Sequence, residues 1–246
     1  MSRRAQSPGQ VLRYGGDPQQ VVEVWPAAAP GSAPRGTAVL VHGGYWRTPW
    51  AADLMHPLVP AFTGRGWRVA VPEYRRIGSG GGWPATSDDV AAALAVLGPR
   101  DDEAGGPVLL VGHSAGGHLA LLHSGAADAV VALAPVTDLA RGYAEGIGSG
   151  AVAELMGTSP AAHPDAYRAA SPRERPWPAC PVLVVHGTDD ARVPVEHSRG
   201  YTAAARGDGA PVELVEPGSL DHMALIDPGA PHWPGVHAWL DTALRP

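Results

Sequence analysis

The chain has 246 residues, 45% of them hydrophobic and 17% charged, which gives it enough apolar surface for one large core and places it among globular rather than disordered chains. Its formal net charge is −6 and all 18 basic residues are arginine, with no basic stripe, which argues against a nucleic-acid partner. The single cysteine, Cys180, excludes an intramolecular disulfide, and no apolar run approaches the roughly 20 residues that a membrane-spanning helix needs.

Arg3-Arg4 is followed by no apolar stretch of the kind a leader peptide carries, so no membrane partner and a cytoplasmic location are expected. Apolar runs then alternate with amphipathic or alanine-rich stretches. That alternation predicts an α/β fold, a mostly parallel sheet with helices on both faces. Residues 21–25 read as an edge strand, followed by a Pro/Ala/Gly-rich connection through Gly36 and a buried strand over 37–41. A helix is expected over 51–63 despite Pro57 and Pro60, and a strand over 67–71. The Ser-Asp-Asp opening of 87–97 has the chemistry of a helix N-terminus. Strands follow over 108–111 and 129–133. The segment 136–179 is too long for an ordinary connection and reads as a small cap or lid in an otherwise single domain, with a short helix over 152–156. Strands over 182–185 and 212–215 and helices over 195–206 and 233–244 complete the pattern.

The most informative residues are Gly112-His113-Ser114-Ala115-Gly116, a G-x-S-x-G string placed between an apolar strand and a helix-compatible run. That context is what a nucleophile elbow requires, because the serine must sit on a tight, strained turn at the sheet edge. A serine hydroxyl is a weak nucleophile and needs a base, ordinarily a histidine oriented by a carboxylate. The chain supplies both, in the order Ser, acid, His. Asp189 and Asp190 follow the strand 182–185, and His222 lies in the loop before the last helix. All three loops fall at the carboxyl ends of strands, hence at one sheet edge. Negative charge on a tetrahedral intermediate calls for N–H donors. The loop His42-Gly43-Gly44-Tyr45-Trp46 offers that of Gly44, and the elbow offers that of Ala115.

Taken together, the chain resembles the α/β-hydrolase superfamily, and within it the kynurenine formamidase-like and hormone-sensitive-lipase-like carboxylesterases. The matching pieces are His-Gly-Gly-Tyr-Trp at 42–46, Glu-Tyr-Arg at 73–75, Trp-Pro at 83–84 followed by Asp89, and Gly-His-Ser-Ala-Gly-Gly-His at 112–118. His-Gly-Thr-Asp-Asp-Ala-Arg-Val-Pro at 186–194 and Asp-His-Met at 221–223 complete the set, which spans about residues 37–226. The resemblance implies Ser114, His222 and Asp190 as the catalytic triad. Asp190 is favoured because in related enzymes the acid precedes Val-Pro by a fixed interval, which Asp189 misses by one. Asp138 is a third place for the acid, although a helix-capping role suits it better. The resemblance also adds the N–H of Tyr45 to those of Gly44 and Ala115, with Gly43 as the lesser candidate. Tyr45 stands where a lipase-type motif has a third glycine, which argues against a plain lipase-like esterase.

No other histidine has metal-ligand spacing, so no metal or organic cofactor is expected. Tyr45, Trp46, Trp83 and Trp177 lie in loops expected to approach the site, where aromatic rings could wall an acyl pocket. The expected function is serine-dependent cleavage of a small carboxylic ester or aryl formamide, with a small molecule as the only partner. The alternatives are a catalytically inert or ligand-binding scaffold, since fold does not decide function, and a small peptidase-like amide hydrolase.

Overall fold

The structure, a computed structural model, describes residues 7–28, 33–98 and 106–245. Arg3-Arg4 and part of the connection expected after the first strand lie outside the described residues. In chain order the strands are β1 (Gln10–Arg13), β2 (Val21–Trp25), β3 (Thr37–Val41), β4 (Arg68–Pro72), β5 (Val108–His113), β6 (Ala129–Leu133), β7 (Val182–Val185) and β8 (Val212–Val215). The helices are α1 (Val59–Thr63), α2 (Ala85–Ala95), α3 (Ala115–Leu122), α4 (Leu139–Ala144), α5 (Ile147–Met156), α6 (Pro164–Ala170), α7 (Glu196–Gly207) and α8 (Trp233–Ala243).

Runs such as Thr-Ala-Val-Leu-Val and Ala-Val-Val-Ala-Leu lack polar alternation, so they are stable as strands only with both faces covered. Every residue of β3 and of β6 is buried. The eight strands form one sheet in the order β1-β2-β4-β3-β5-β6-β7-β8. The pairs β1–β2 and β2–β4 are antiparallel, and all pairs from β4 through β3 to β8 are parallel. Alternate strand residues feed two cores. Val39, Val41, Leu110, Val130 and Val184 pack with α2 to α7, while Ala38, Leu40, Leu109, Val131 and Leu183 pack with Phe62 of α1 and Trp233 and Leu240 of α8. Among the described residues, no helix is long and apolar enough to cross a membrane.

Several elements depart from the sequence pattern for identifiable reasons. β1 carries a mostly exposed Gln-Val-Leu-Arg run whose extended form comes from pairing with β2, not from its own periodicity. The stretch expected as one helix over 51–63 is a 3₁₀ helix, Ala52–Leu58, followed by the short α1 with Pro60 in its first turn. α2 begins at Ala85, before the Ser-Asp-Asp that was expected to cap it. Asp89 is instead buried and takes two hydrogen bonds from the Arg75 side chain, at 2.8 Å each. The segment 136–179 holds α4, α5 and α6, two of them beyond the short helix expected. Asp138 accepts the N–H of Arg141 at 2.9 Å and caps α4.

The parallel half of the sheet sends the loops after β3, β5, β7 and β8 to one edge. α3 leaves β5 with a very close approach. A Cβ on Gly116 would stand 2.1 Å from the carbonyl oxygen of Val41, and one on Gly112 would stand 2.2 Å from that of Gly116. Both contacts are with backbone, which cannot rotate away. Gly116→Ala is therefore expected to destabilise the fold by about 1–3 kcal/mol through overpacking, a fall of roughly 2–12 °C in Tm at this chain length. Gly125→Ala, where nothing lies within 4 Å of the new Cβ, serves as the neutral control by thermal denaturation.

Candidate active site

Ser114 occupies the turn between β5 and α3 with φ 56° and ψ −118°, a left-handed backbone that a non-glycine residue adopts only under constraint. Its N–H is bound to the Leu133 carbonyl at 2.8 Å and its carbonyl accepts the N–H of His118 at 3.0 Å. The strain is thus held from both sides, and the side chain is presented at the mouth of a cleft that His222 also lines.

His222 Nδ1 lies 2.6 Å from Asp190 Oδ2. Since the carboxylate can only accept, the ring carries a hydrogen on Nδ1 toward Asp190, which makes Nε2 the acceptor nitrogen of the neutral tautomer. Asp190 is fully engaged. Oδ1 accepts the N–H groups of Arg192 (2.8 Å) and Val193 (3.0 Å), and Oδ2 also faces His186 Nε2 at 3.2 Å. Burial alone would raise the Asp190 carboxyl. The hydrogen bonds from His186, His222 and the Val193 backbone outweigh it and hold the group far below the usual carboxylate range. Asp189 does not reach the histidine. Its oxygen accepts the neighbouring Thr188 hydroxyl at 3.1 Å.

His186 is a functional-site residue that the motifs pointed past. Its Nε2 faces two acceptors, Asp190 and the Val193 carbonyl (2.9 Å), and its Nδ1 takes the Ser198 hydroxyl at 2.7 Å. It therefore donates to the acid while being locked onto α7. The only trace in sequence was its place in His-Gly-Thr-Asp-Asp. His113 plays a comparable part beneath the histidine. Its Nε2 donates to the His222 carbonyl at 2.9 Å, and the two rings lie 4.5 Å apart.

The loop after β3 carries three successive left-handed residues, Gly44 (φ 109°), Tyr45 (φ 55°) and Trp46 (φ 56°). A Cβ on Gly44 would run into the Trp50 ring, at 2.2 Å from its Cβ. Among the described residues, the N–H groups of Gly43, Gly44, Tyr45 and Ala115 have no acceptor. His42 braces this loop, with Nδ1 on the Gly43 carbonyl at 2.8 Å, Nε2 on Glu73 at 3.0 Å, and Tyr74 stacked on the ring at 4.2 Å. Burial acts to raise the Glu73 carboxyl, but His42, the Ala52 N–H and Arg76 bring it below its ordinary value. On the far side, Arg47 donates to the Gly148 carbonyl at 2.6 Å and to Glu154 at 2.7 Å, tying the loop to α5.

Residues 26–204 match the profile of the BD-FAE family. The chain belongs to the BD-FAE family. It is 29% identical to Esterase LipC of Mycobacterium tuberculosis across 92% of its own length, and 30% identical to Esterase LipQ of the same organism across 81%. It spans 62% of the length of LipC and 53% of that of LipQ. The fold superposes on Esterase B of Lactobacillus rhamnosis with a TM-score of 0.77 at 19% identity, covering 97% of this chain and 86% of that one. The architecture is that of the α/β-hydrolases.

In this BD-FAE member the cleft at Ser114 and His222 is lined by Gly44, Tyr45, Trp50, Leu54, His113, Arg192 and Met223. Of the aromatic residues expected at the pocket, Tyr45 is there. The other three are not. Trp46 is 1% exposed and turns into the core, where its Nε1 donates to His118 Nδ1 at 3.3 Å. Trp83 packs on the core with its N–H bound to the Leu155 carbonyl at 2.8 Å. Trp177 lies edge-on against Tyr201 of α7 and donates to Asp208 at 2.7 Å. The rings were expected at the pocket because their segments approach it. Rotamer and packing turned them inward, and Trp50, Leu54 and Met223 took the positions instead.

Burial, followed by the nearby charge of His222, pushes the His113 ring down to about 3. The unfolded chain would protonate this histidine near pH 6.5. Acid between those values therefore favours the unfolded state, so stability is fully present above about pH 6.5 and declines below it. The pH dependence of denaturant midpoints tests this. His113→Gln is expected to lose less stability than the wild type between pH 7 and 5, by up to about 1.4 kcal/mol per pH unit below 6.5.

Proposed function

We propose that the protein is a serine hydrolase that cleaves small carboxylic esters, and aryl formamides of similar size, through an acyl-enzyme. The observation that carries this reading is the 2.6 Å contact from His222 Nδ1 to Asp190, which engages one ring nitrogen and leaves Nε2 for proton transfer in the cleft that Ser114 and His222 both line. The esterase names of LipC and LipQ support the same class.

In the proposed reaction the Ser114 hydroxyl attacks the substrate carbonyl while His222 Nε2 takes its proton. Asp190 stabilises the imidazolium so formed, and the unpaired N–H groups of Gly44, Tyr45 and Ala115 receive the oxyanion, with that of Gly43 in reserve. His222 returns the proton to the leaving alcohol or amine. Water then repeats the sequence on the acyl-serine and frees the acid. The α4–α6 segment acts as a cap beside this site, joined to the oxyanion loop through Arg47.

A fluorophosphonate probe is expected to label the protein at Ser114, and Ser114→Ala to lose both labelling and ester turnover. Full activity in that variant overturns the mechanism. Asp190→Asn is expected to reduce kcat strongly, with about 10⁴-fold as the upper guide, whereas Asp189→Asn changes it little. Equal small losses would remove Asp190 from the triad.

The acyl end of the cleft is bounded by Tyr45, Trp50, Leu54 and Met223, four bulky side chains close to the serine. Short acyl groups are therefore preferred. Across nitrophenyl esters from acetate to laurate, kcat/KM should peak at the short end and fall gradually, since apolar misfit costs only about 1–3 kcal/mol per methylene. A maximum at long chains contradicts the short pocket. N-formylkynurenine assayed alongside separates the two substrate classes, and ester cleavage without formamide cleavage leaves a carboxylesterase.

A further inference from the structure

A second concavity adjoins the site on the side of the acid. It is an open groove of about 420 Å³, lined by Glu145, Gly146, Ile147, Gly148, Asp190, Ala191, Arg192 and Pro194. Arg192 lines both this groove and the cleft at Ser114, so it stands where the two meet. Its backbone is fixed, because its N–H is one of the four hydrogen bonds that hold Asp190. Its side chain is exposed, and among the described residues the guanidinium has no hydrogen-bond or ion-pair partner.

The two acids that line the groove, Asp190 and Glu145, are already committed. Asp190 faces His222 and His186, and its side chain is 1% exposed. Glu145 on the opposite wall is held by Arg141 at 2.6 Å and by His197 at 3.0 Å. The groove therefore presents one uncompensated cation. Its charge is felt as far as His113, where it helps to disfavour protonation. Gly146 and Gly148, both with positive φ, leave two positions of the far wall without a side chain, beside Glu145 and Ile147.

We infer that Arg192 binds a carboxylate on the leaving-group side of the substrate, so that the esters or amides this protein handles best carry an acid on their alcohol or amine half. This rests on the hydrolase reading above. The acyl half is confined by Tyr45, Trp50, Leu54 and Met223, so the remainder of the molecule leaves through the groove and passes the guanidinium. A planar fork of N–H donors matches a carboxylate in two parallel hydrogen bonds, which a neutral group cannot supply.

The test compares 4-acetoxybenzoate with its methyl ester, together with homologues carrying one and two methylenes before the acid. These are assayed with the wild type, Arg192→Gln and Arg192→Lys. The ratio of kcat/KM for acid over methyl ester is expected to fall about tenfold in Arg192→Gln for at least one arm length. The loss should lie in KM, with partial recovery in Arg192→Lys. A ratio unchanged at every arm length overturns the inference, and so does an equal loss on acid and methyl ester. Calorimetric titration of the same acids into Ser114→Ala, with and without Arg192→Gln, needs no turnover. Acid binding that depends on Arg192, in a protein that hydrolyses no ester, counts against the hydrolase reading alone. Binding indifferent to Arg192 counts against the carboxylate site alone.

Discussion

A carboxylate taken out of water is tolerated only when its oxygens are met by donors, and the Asp190 side chain is 1% exposed. Two backbone N–H groups, His186 and His222 meet that requirement, and they come from three places: the turn that holds Arg192 and Val193, the first residue past β7 and the loop after β8. The candidate site depends on this convergence. It orients His222, holds the turn that carries Arg192, and joins the sheet edge to α7 through the bond from Ser198 to His186. If one donor were lost, a buried charge would be left partly unmatched.

The other side of the site is built from backbone strain. Ser114, Tyr45 and Trp46 all adopt positive φ without being glycine, and each such residue costs on the order of 1–3 kcal/mol unless its surroundings impose it. The surroundings here are specific. Gly43 lies so close beneath the elbow that a Cβ there would stand 2.7 Å from the His113 carbonyl oxygen. The ring of Trp46 is anchored in the core by His118, and the loop is pinned by His42 to Glu73 and by Arg47 to Gly148. The outcome is a row of N–H groups that stay unpaired because the loop that carries them cannot relax.

The two concavities that meet at Arg192 differ in character. The cleft at Ser114 is walled mainly by apolar side chains, whereas the groove beyond Arg192 mixes backbone, a free cation and a neutralised acid. Under the proposed reaction that asymmetry makes the apolar cleft the acyl side and the groove the leaving-group side. His113 supports the arrangement as a neutral ring that donates to the His222 backbone carbonyl.

Much of this was legible in the chain itself. Val-Leu-Val-Val at 182–185 and Ala-Val-Val-Ala-Leu at 129–133 could only be buried strands, and the structure has strands over those same residues. The elbow and the His-Gly-Gly loop are local signals, because each needs particular residues at fixed spacing on one turn, while the order Ser, Asp, His is read along the chain. The interval before Val-Pro was enough to rank Asp190 over Asp189, and the two carboxylates do lie in different hydrogen-bond environments. What the sequence could not contain is which side chains meet across distant segments. Trp46, Trp83 and Trp177 read as pocket walls because their segments pass near the site, yet the direction of a ring is set by what packs against it. His186 reached the acid, Trp50, Leu54 and Met223 reached the cleft, and β1 became a strand only through its pairing with β2. Spacing along one turn is written in the sequence. Contact between turns belongs to the tertiary fold, where burial and the supply of hydrogen-bond partners choose among positions that the sequence leaves equal.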